Sequence, residues 1–426
     1  MNRLITLLAV LIVSPTLADT TAIVGGKVHT IGPQGTIENG TVLIVDGRIA
    51  AVGDDVEVPA GADVIDASGK LVTPGLFSPL SQLGLVEVSS SAGPTDGAQR
   101  GEHFTAGFDV ADAYNPRSTL IAINRIEGVT RTVSAPSPGY PDESGGGHII
   151  AGLAAVVNLG DNDVLDMRNA AVVVALGESG SYFTGGTRSA AWLTLRNALD
   201  EALDYREHKG DFERGMRRAY VHSMADLEAL QGVINGNTPM IVSVNRASDI
   251  EVLMRFVDEY SVQAIIFGGA EAWMLADALA AANIPVIVDP TANLPGSFDS
   301  INARLGAATI LANAGVKIAI GDGDTHNARN LTQAAGNAVA HGLDWDAALH
   351  AITLAPAEIF GMASTVGSLE VGKAADVVIW PGDPLELTNY PDQVFINGEA
   401  VPMVSRQTLL RDRYLQTDGG PPAYRN

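Results

Sequence analysis

The run Gly321-Asp322-Gly323-Asp324-Thr325-His326 places two carboxylates and an imidazole within five residues, directly after the β-rich stretch 316–320. Carboxylates beside a histidine can hold a divalent cation with other loop residues, or one of them can take a proton as a general base. The same residue types also cap helices, and a helical stretch begins near Ala328; carboxylates there are favoured by the free backbone N–H groups of the first turn. All three readings of Asp322, Asp324 and His326 fit the local sequence. Other polar residues stand where β-runs end: Asn245-Arg246 after residues 240–244, Glu271 after residues 263–267, and Asp289 closing residues 284–289. Arg246 has the guanidinium fork that grips a substrate carboxylate, or it pairs with Asp249 on the helix it opens. Glu271 reads as a site residue or a cap, and Arg329 as an anion contact or part of a first helical turn. Trp273 and Trp345 sit at helical positions and read as core.

Composition narrows the chemistry. The chain has no cysteine, which removes disulfides, cysteine nucleophiles and thiolate metal sites together. Its eight histidines, at 29, 103, 148, 208, 222, 326, 341 and 350, include no His-x-His pair. A formal charge of −23 without a basic run argues against a nucleic-acid partner, whose phosphates are gripped by clustered Lys and Arg. Met1-Asn2-Arg3, the apolar run 4–13 and Ser14-Pro15-Thr16-Leu17-Ala18 form the pattern of a secretory signal. Cleavage after Ala18 and export to the periplasm or the exterior are expected. No other stretch reaches membrane-spanning length, which is about 20 residues, so the mature chain is expected to carry no transmembrane segment.

The elements that must position these residues follow from patterning. From 21 to 72 short β-runs alternate with turns, including a hairpin around Asp46-Gly47. After Thr73-Pro74-Gly75 the rhythm changes to continuous apolar runs, at 128–133, 171–176, 240–244, 263–267, 284–289 and 316–320, separated by helical stretches. Continuous runs indicate strands buried on both faces. Strands alternating with helices in this way predict an α/β fold, a (β/α)8 TIM-like barrel, with a doubly wound sheet as the runner-up. Residues 188–206 read as an amphipathic helix with Ala191, Trp192, Leu195, Leu199 and Ala202 on one face. Asp344 is placed to cap the helix that follows it. From 366 the chain returns to β-runs. Neither terminal β-unit is large enough to bury its own face, so the two are expected to pair into one small β-sandwich.

Gly367-Ser368-Leu369-Glu370-Val371-Gly372-Lys373-Ala374-Ala375-Asp376-Val377-Val378 is similar to the Gly-x-Leu-x-x-Gly-Lys-x-Ala-Asp-x-Val signature that ends amidohydrolase-type barrels. Residues 348–357, Val45-Asp46-Gly47-Arg48-Ile49, and the stretch 66–76 also resemble that superfamily, most closely its imidazolonepropionase-like and peptidase-like members. The resemblance implies the sandwich over 19–73 and 362–405 and the barrel over 74–361; the secretory pattern sets a signal peptide over 1–18, and the polar, Pro/Gly-rich end predicts a poorly ordered tail over 406–426. It also implies a hydrolase of C–N bonds in cyclic amides or dipeptides, usually zinc-dependent, whose metal makes hydroxide available at neutral pH. The family writes Pro-Gly-Leu-Ile-Asp-x-His-x-His where this chain has Pro74-Gly75-Leu76-Phe77-Ser78-Pro79-Leu80-Ser81-Gln82, so Leu80 and Gln82 replace two histidines. Ser243 stands at the histidine after strand five, and Gly268 or Gly269 at the one after strand six. An acid near Asp322 survives at strand eight. No cofactor is therefore expected. The alternative to a hydrolase is a catalytically inactive binding or assembly module, with a small-molecule or peptide-like ligand and a possible homo-oligomer.

Overall fold

The computed structural model describes residues 19–88, 93, 95–99, 104–139 and 148–415; the expected signal peptide and the end of the tail lie outside them. Five strands precede the barrel: Thr20–His29 (β1), Thr36–Val45 (β2), Arg48–Gly53 (β3), Asp63–Asp66 (β4) and Leu71–Pro74 (β5). β2 and β3 form the expected hairpin. Asp46 and Gly47 both adopt positive φ, 49° and 77°, as a tight two-residue hairpin turn requires.

A second sheet follows: Leu76–Ser81 (β6), Val129–Ser134 (β7), Ile150–Asn158 (β8), Leu165–Ala175 (β9), Met240–Val244 (β10), Ala264–Gly268 (β11), Val286–Val288 (β12) and Ile318–Ile320 (β13). Its eight strands lie side by side in chain order, and β13 comes round against β6, so the sheet is nearly closed. It is a TIM-like barrel with one departure from the all-parallel rhythm. β8 runs antiparallel to both β7 and β9. The reversal follows from Gly160-Asp161-Asn162-Asp163, a turn sequence with Asp163 at positive φ, between two apolar runs.

Side chains alternate between two apolar environments along these strands. Val173, Ile241, Ile265, Ile287 and Ala319 fill the interior. Met240, Val242, Ile266, Val286 and Ile318 pack outward against the helices. This is why the strand sequences are apolar throughout. The Arg188–Glu213 helix buries all five residues expected on its apolar face.

The last strands, Val377–Trp380 (β14), Gln393–Ile396 (β15) and Glu399–Ala400 (β16), return to the first sheet, where β14 pairs with β5 antiparallel. The small domain is one hydrogen-bonded sheet, ordered β16-β15-β14-β5-β1-β2-β3 with β4 on β1, rather than two separately bonded layers. Its own core includes Ile23, Val42, Ile44, Val72, Val377 and Phe395. The tail differs from expectation, since Arg406–Leu415 is helical, although none of its residues is buried.

The two domains meet at Arg131 on β7. Its guanidinium, 3% exposed as a residue, contacts Asp376, donates from Nε to Asp166 at 2.8 Å, and donates to Asn397 Oδ1 at 2.8 Å. Asp376 also accepts from the Asn397 amide at 3.0 Å, the turn-satisfying role read from its position. Removing one partner from a buried, paired charge costs about 3–5 kcal/mol, because the other charge is left uncompensated. Asp376→Ala is therefore expected to lower unfolding stability by about that amount, measured by denaturant titration. A loss under about 1 kcal/mol, the ordinary worth of a surface pair, would show that the link is not a buried one in energetic terms.

Candidate functional site

The carboxyl ends of the parallel strands form the barrel mouth, the end at which sites of this architecture are built. Ala175, Ser243 and Phe267 stand in one row across β9, β10 and β11. With Leu80, Val173, Ile241 and Phe183 they line a cavity of about 300 Å³. Gln82 borders it too, but its amide nitrogen donates to the Gly97 carbonyl at 3.0 Å. Among the described residues Asp322 is the one charged side chain in the lining.

Backbone conformation fixes part of this lining. Gly268, one of the two glycines set by the resemblance at the strand-six histidine, has φ +89°, and a Cβ there would lie 2.6 Å from Asn245 Oδ1. A side chain at that position would be strained and would collide with a neighbour already in place. Gly323 has φ +74°, and a Cβ there would lie 2.7 Å from Phe267 Cζ. The glycine beside Asp322 thus lets the phenyl ring close over the loop.

Asp322 is exposed, and its Oδ1 accepts the Asp324 amide at 2.9 Å. The surrounding protein desolvates its carboxyl and raises its pKa, with further upward pushes from Asp324 and Asp289 that the Asp324 amide partly offsets. Asp322 also borders a second, polar cavity of about 200 Å³ that includes Asp289, Asn327, Asn330 and Gln333.

Of the seven residues singled out from the sequence, only Asp322 lines the mouth cavity. Asp324 accepts from the Asn327 amide at 3.1 Å and from its side chain at 3.0 Å, the geometry of a turn before a helix. His326 is half-buried beyond Thr325 and lines neither cavity. Asn245 accepts from the Ala270 amide at 3.3 Å. Arg246 donates to Ser248 at 2.6 Å and lies 3.7 Å from Asp249, on its own helix. Glu271 is buried, accepting from the Ala247 amide at 2.9 Å and from Asn302 at 2.8 Å, so it caps the helix that follows β10. Arg329 acts electrostatically on Glu127 rather than on the mouth.

Sequence reasoning missed Phe183, Phe267 and Thr325. Thr325 Oγ1 accepts the Gln82 amide at 3.2 Å, and its carbonyl accepts from Asn124 at 3.3 Å, which ties the loop after β13 to the end of β6. It also missed Arg188, which donates to Asp249 at 3.1 Å and pairs with Asp299 beside the mouth. These contacts span 61 to 243 residues of chain, and no local pattern announces them.

The amidohydrolase family profile matches residues 251–401. Amidohydrolase tasK of Hapsidospora irregularis is 24% identical over 91% of this chain, which spans only 42% of that protein's length. The imidazolonepropionase of Sphingopyxis alaskensis is 25% identical over 83% of this chain and 89% of its own. An amidohydrolase structure from Thermotoga maritima superposes with a TM-score of 0.80, covering 90% of this chain and 99% of that one at 24% identity. Residues 251–401 thus carry the amidohydrolase family's sequence pattern, and the whole barrel shares the fold of an amidohydrolase structure. The donor chemistry of its mouth departs from what the resemblance implies. The positions at which the resemblance sets the zinc ligands carry Leu80, Gln82, Ser243 and Gly268 or Gly269. A leucine has no lone pair for a metal, the Gln82 amide is engaged with Gly97, and Gly268 leaves no room for a side chain. Among the described residues no group of three or more His, Cys, Asp or Glu is arranged to hold a metal ion. The residues present do not fit the family's metal.

Gly268 provides the direct test of this backbone argument. Gly268→Ala is expected to cost about 1–3 kcal/mol, the range for a side chain forced into a left-handed conformation, read by thermal or denaturant unfolding. A neutral substitution would show that the strand end can relax, and with it that a ligand side chain could be accommodated.

Proposed function

We propose that this chain is an exported amidohydrolase-fold binding protein that takes a small, largely apolar ligand at its barrel mouth and does not perform the family's metal-hydroxide hydrolysis. The observation that carries the reading is the lining itself. Leu80, Ala175, Ser243 and Phe267 stand around the space where a metal and its water would be, with Asp322 as the one charged group among the described residues. Pockets with mostly apolar walls and a small number of well-placed polar groups are typical of small-molecule sites.

A second reading keeps hydrolysis of cyclic amides or dipeptides, with Asp322 as general base. The raised pKa of Asp322 favours it, since a base works best when its pKa approaches the working pH. Among the described residues no Lys, Arg or His lines the cavity, so the oxyanion that forms when water adds to an amide would depend on neutral donors such as Ser243 or Gln82, the latter already bonded to Gly97. Oxyanion stabilisation is usually a large part of such catalysis, with one donor worth about 10²–10³ in rate.

The purified mature chain, incubated with zinc and dialysed, is expected to retain well under one equivalent and to leave dipeptides and hydantoins intact. Stoichiometric zinc with turnover would overturn the binding reading. Chelator-resistant turnover lost in Asp322→Asn would establish the second reading instead. Export has its own measurement. Mass spectrometry of the periplasmic or secreted protein is expected to find Asp19 as the first residue, and an intact Met1 in the cytoplasm would refute it.

A further inference from the structure

We infer that the ligand of the barrel mouth is an apolar molecule bearing one protonated amine, with its hydrocarbon against Leu80, Val173, Phe183 and Phe267 and its nitrogen at Asp322. This deepens the binding reading above and rests on it. The cavity wall is hydrocarbon apart from Asp322 and a few neutral polar groups. A ligand carboxylate or phosphate entering it would lose its water and meet no cation, which is costly. A protonated amine meets a carboxylate whose Oδ1 is taken by the Asp324 amide and whose Oδ2 receives no hydrogen bond from another described residue.

The surroundings sharpen the preference. Asp322 lies on the wall shared by the apolar cavity and the polar one containing Asp289. Asp289 and Asp324 both act electrostatically on Asp322, so the three carboxylates make the field at the shared wall negative. Among the described residues no Lys or Arg forms an ion pair with Asp322. Arg246 is bonded to Ser248, Arg188 holds Asp249 and Asp299, and Arg329 donates to Asn327 and acts electrostatically on Glu127. The fold thus leaves one carboxylate without a cation at the edge of a hydrocarbon-lined space. A cationic nitrogen completes it, whereas a neutral amide would satisfy one oxygen and leave the field unbalanced.

The test uses the full mature chain and three probes of one size: cyclohexylmethylamine, cyclohexylmethanol and cyclohexanecarboxylate, titrated by calorimetry at physiological ionic strength. The amine is expected to bind at least about tenfold more tightly than the alcohol, a difference of about 1.4 kcal/mol, and the carboxylate not at all. In Asp322→Asn, checked for folding by circular dichroism, amine affinity is expected to fall to that of the alcohol. Ala175→Phe, which fills the cavity, is expected to abolish binding of both.

Equal binding of amine and alcohol, blocked by Ala175→Phe, would overturn the amine preference while leaving the mouth as a ligand site. Amine binding that survives Asp322→Asn would mark general attraction to an acidic protein and also overturn it. If Ala175→Phe changes nothing, or no probe binds, the mouth reading fails and the inference fails with it.

Discussion

A guanidinium out of water has to be surrounded, and at Arg131 the surrounding groups come from both ends of the chain. Asp166 belongs to the barrel, while Asp376 and Asn397 belong to the returning C-terminal segment. Leaving the charge unpaired would cost several kcal/mol, so the C-terminal strands are held against β7 by more than apolar contact. The signature around Asp376 supplies the rest. Lys373 folds back on Ser368 and Glu370, the Gly372 amide bonds the Ile49 carbonyl at 2.8 Å, and the Ala375 amide bonds the Gly47 carbonyl at 2.9 Å. The signature is thus a clamp that docks the C-terminal segment on the β2–β3 hairpin and delivers Asp376 to Arg131. Only then can β14 pair with β5, and β5 lead through Gly75 into the barrel.

That entry sets the register of β6 and therefore what stands at the mouth. Gly75 lies so close to Thr130 that a Cβ would approach its Oγ1 to 2.2 Å, which pins the start of β6 against β7. Five residues on, Leu80 reaches the cavity and Gln82 meets the loop after β13 through Thr325. The absence of histidines here is more than a deletion of ligands from an intact site. Phe267 closes over Gly323, Asn245 occupies the space in front of Gly268, and Pro79 would meet a Cβ on Gly321 at 2.8 Å. The mouth has been packed as a small apolar chamber, and its glycines suit that packing.

Much of this architecture was written in local sequence, because the interactions that shape it are local. The apolar run 240–244 is β10 residue for residue, and Asp344 accepts the Ala347 amide at 3.1 Å as its position before a helix implies. β8 was equally local, since Gly160-Asp161-Asn162-Asp163 between two apolar runs spells a hairpin. A strict strand–helix alternation has no place for this strand, so it does not follow from the rhythm of the neighbouring runs. The site was harder for a different reason. Arg246 and Glu271 carry residue types suited to either a ligand or a helix start, and only the placement of Ser248, Asp249, Ala247 and Asn302 decides between them. Phe267 read as one more strand residue, and only the near-closure of the sheet turns it toward the mouth.

The distribution of charge around the mouth follows from the same competition for partners. Asp249 and Asp299 are almost fully buried, and the fold answers them with Arg188, the Glu178 amide and, more distantly, Arg246. Desolvation still raises the pKa of Asp249, with the two arginines opposing it, so the pairing does not fully repay burial. Among the described residues Asp322 has no ion-pair partner. One backbone amide is the only donor to it from another described residue, while two neighbouring carboxylates work against its charge. Its ionised form is opposed by desolvation and by Asp289 and Asp324, and the Asp324 amide offsets this in part. A carboxylate kept under such conditions at the edge of a ligand-sized cavity is better accounted for by what it meets from outside than by anything it does for the folded chain.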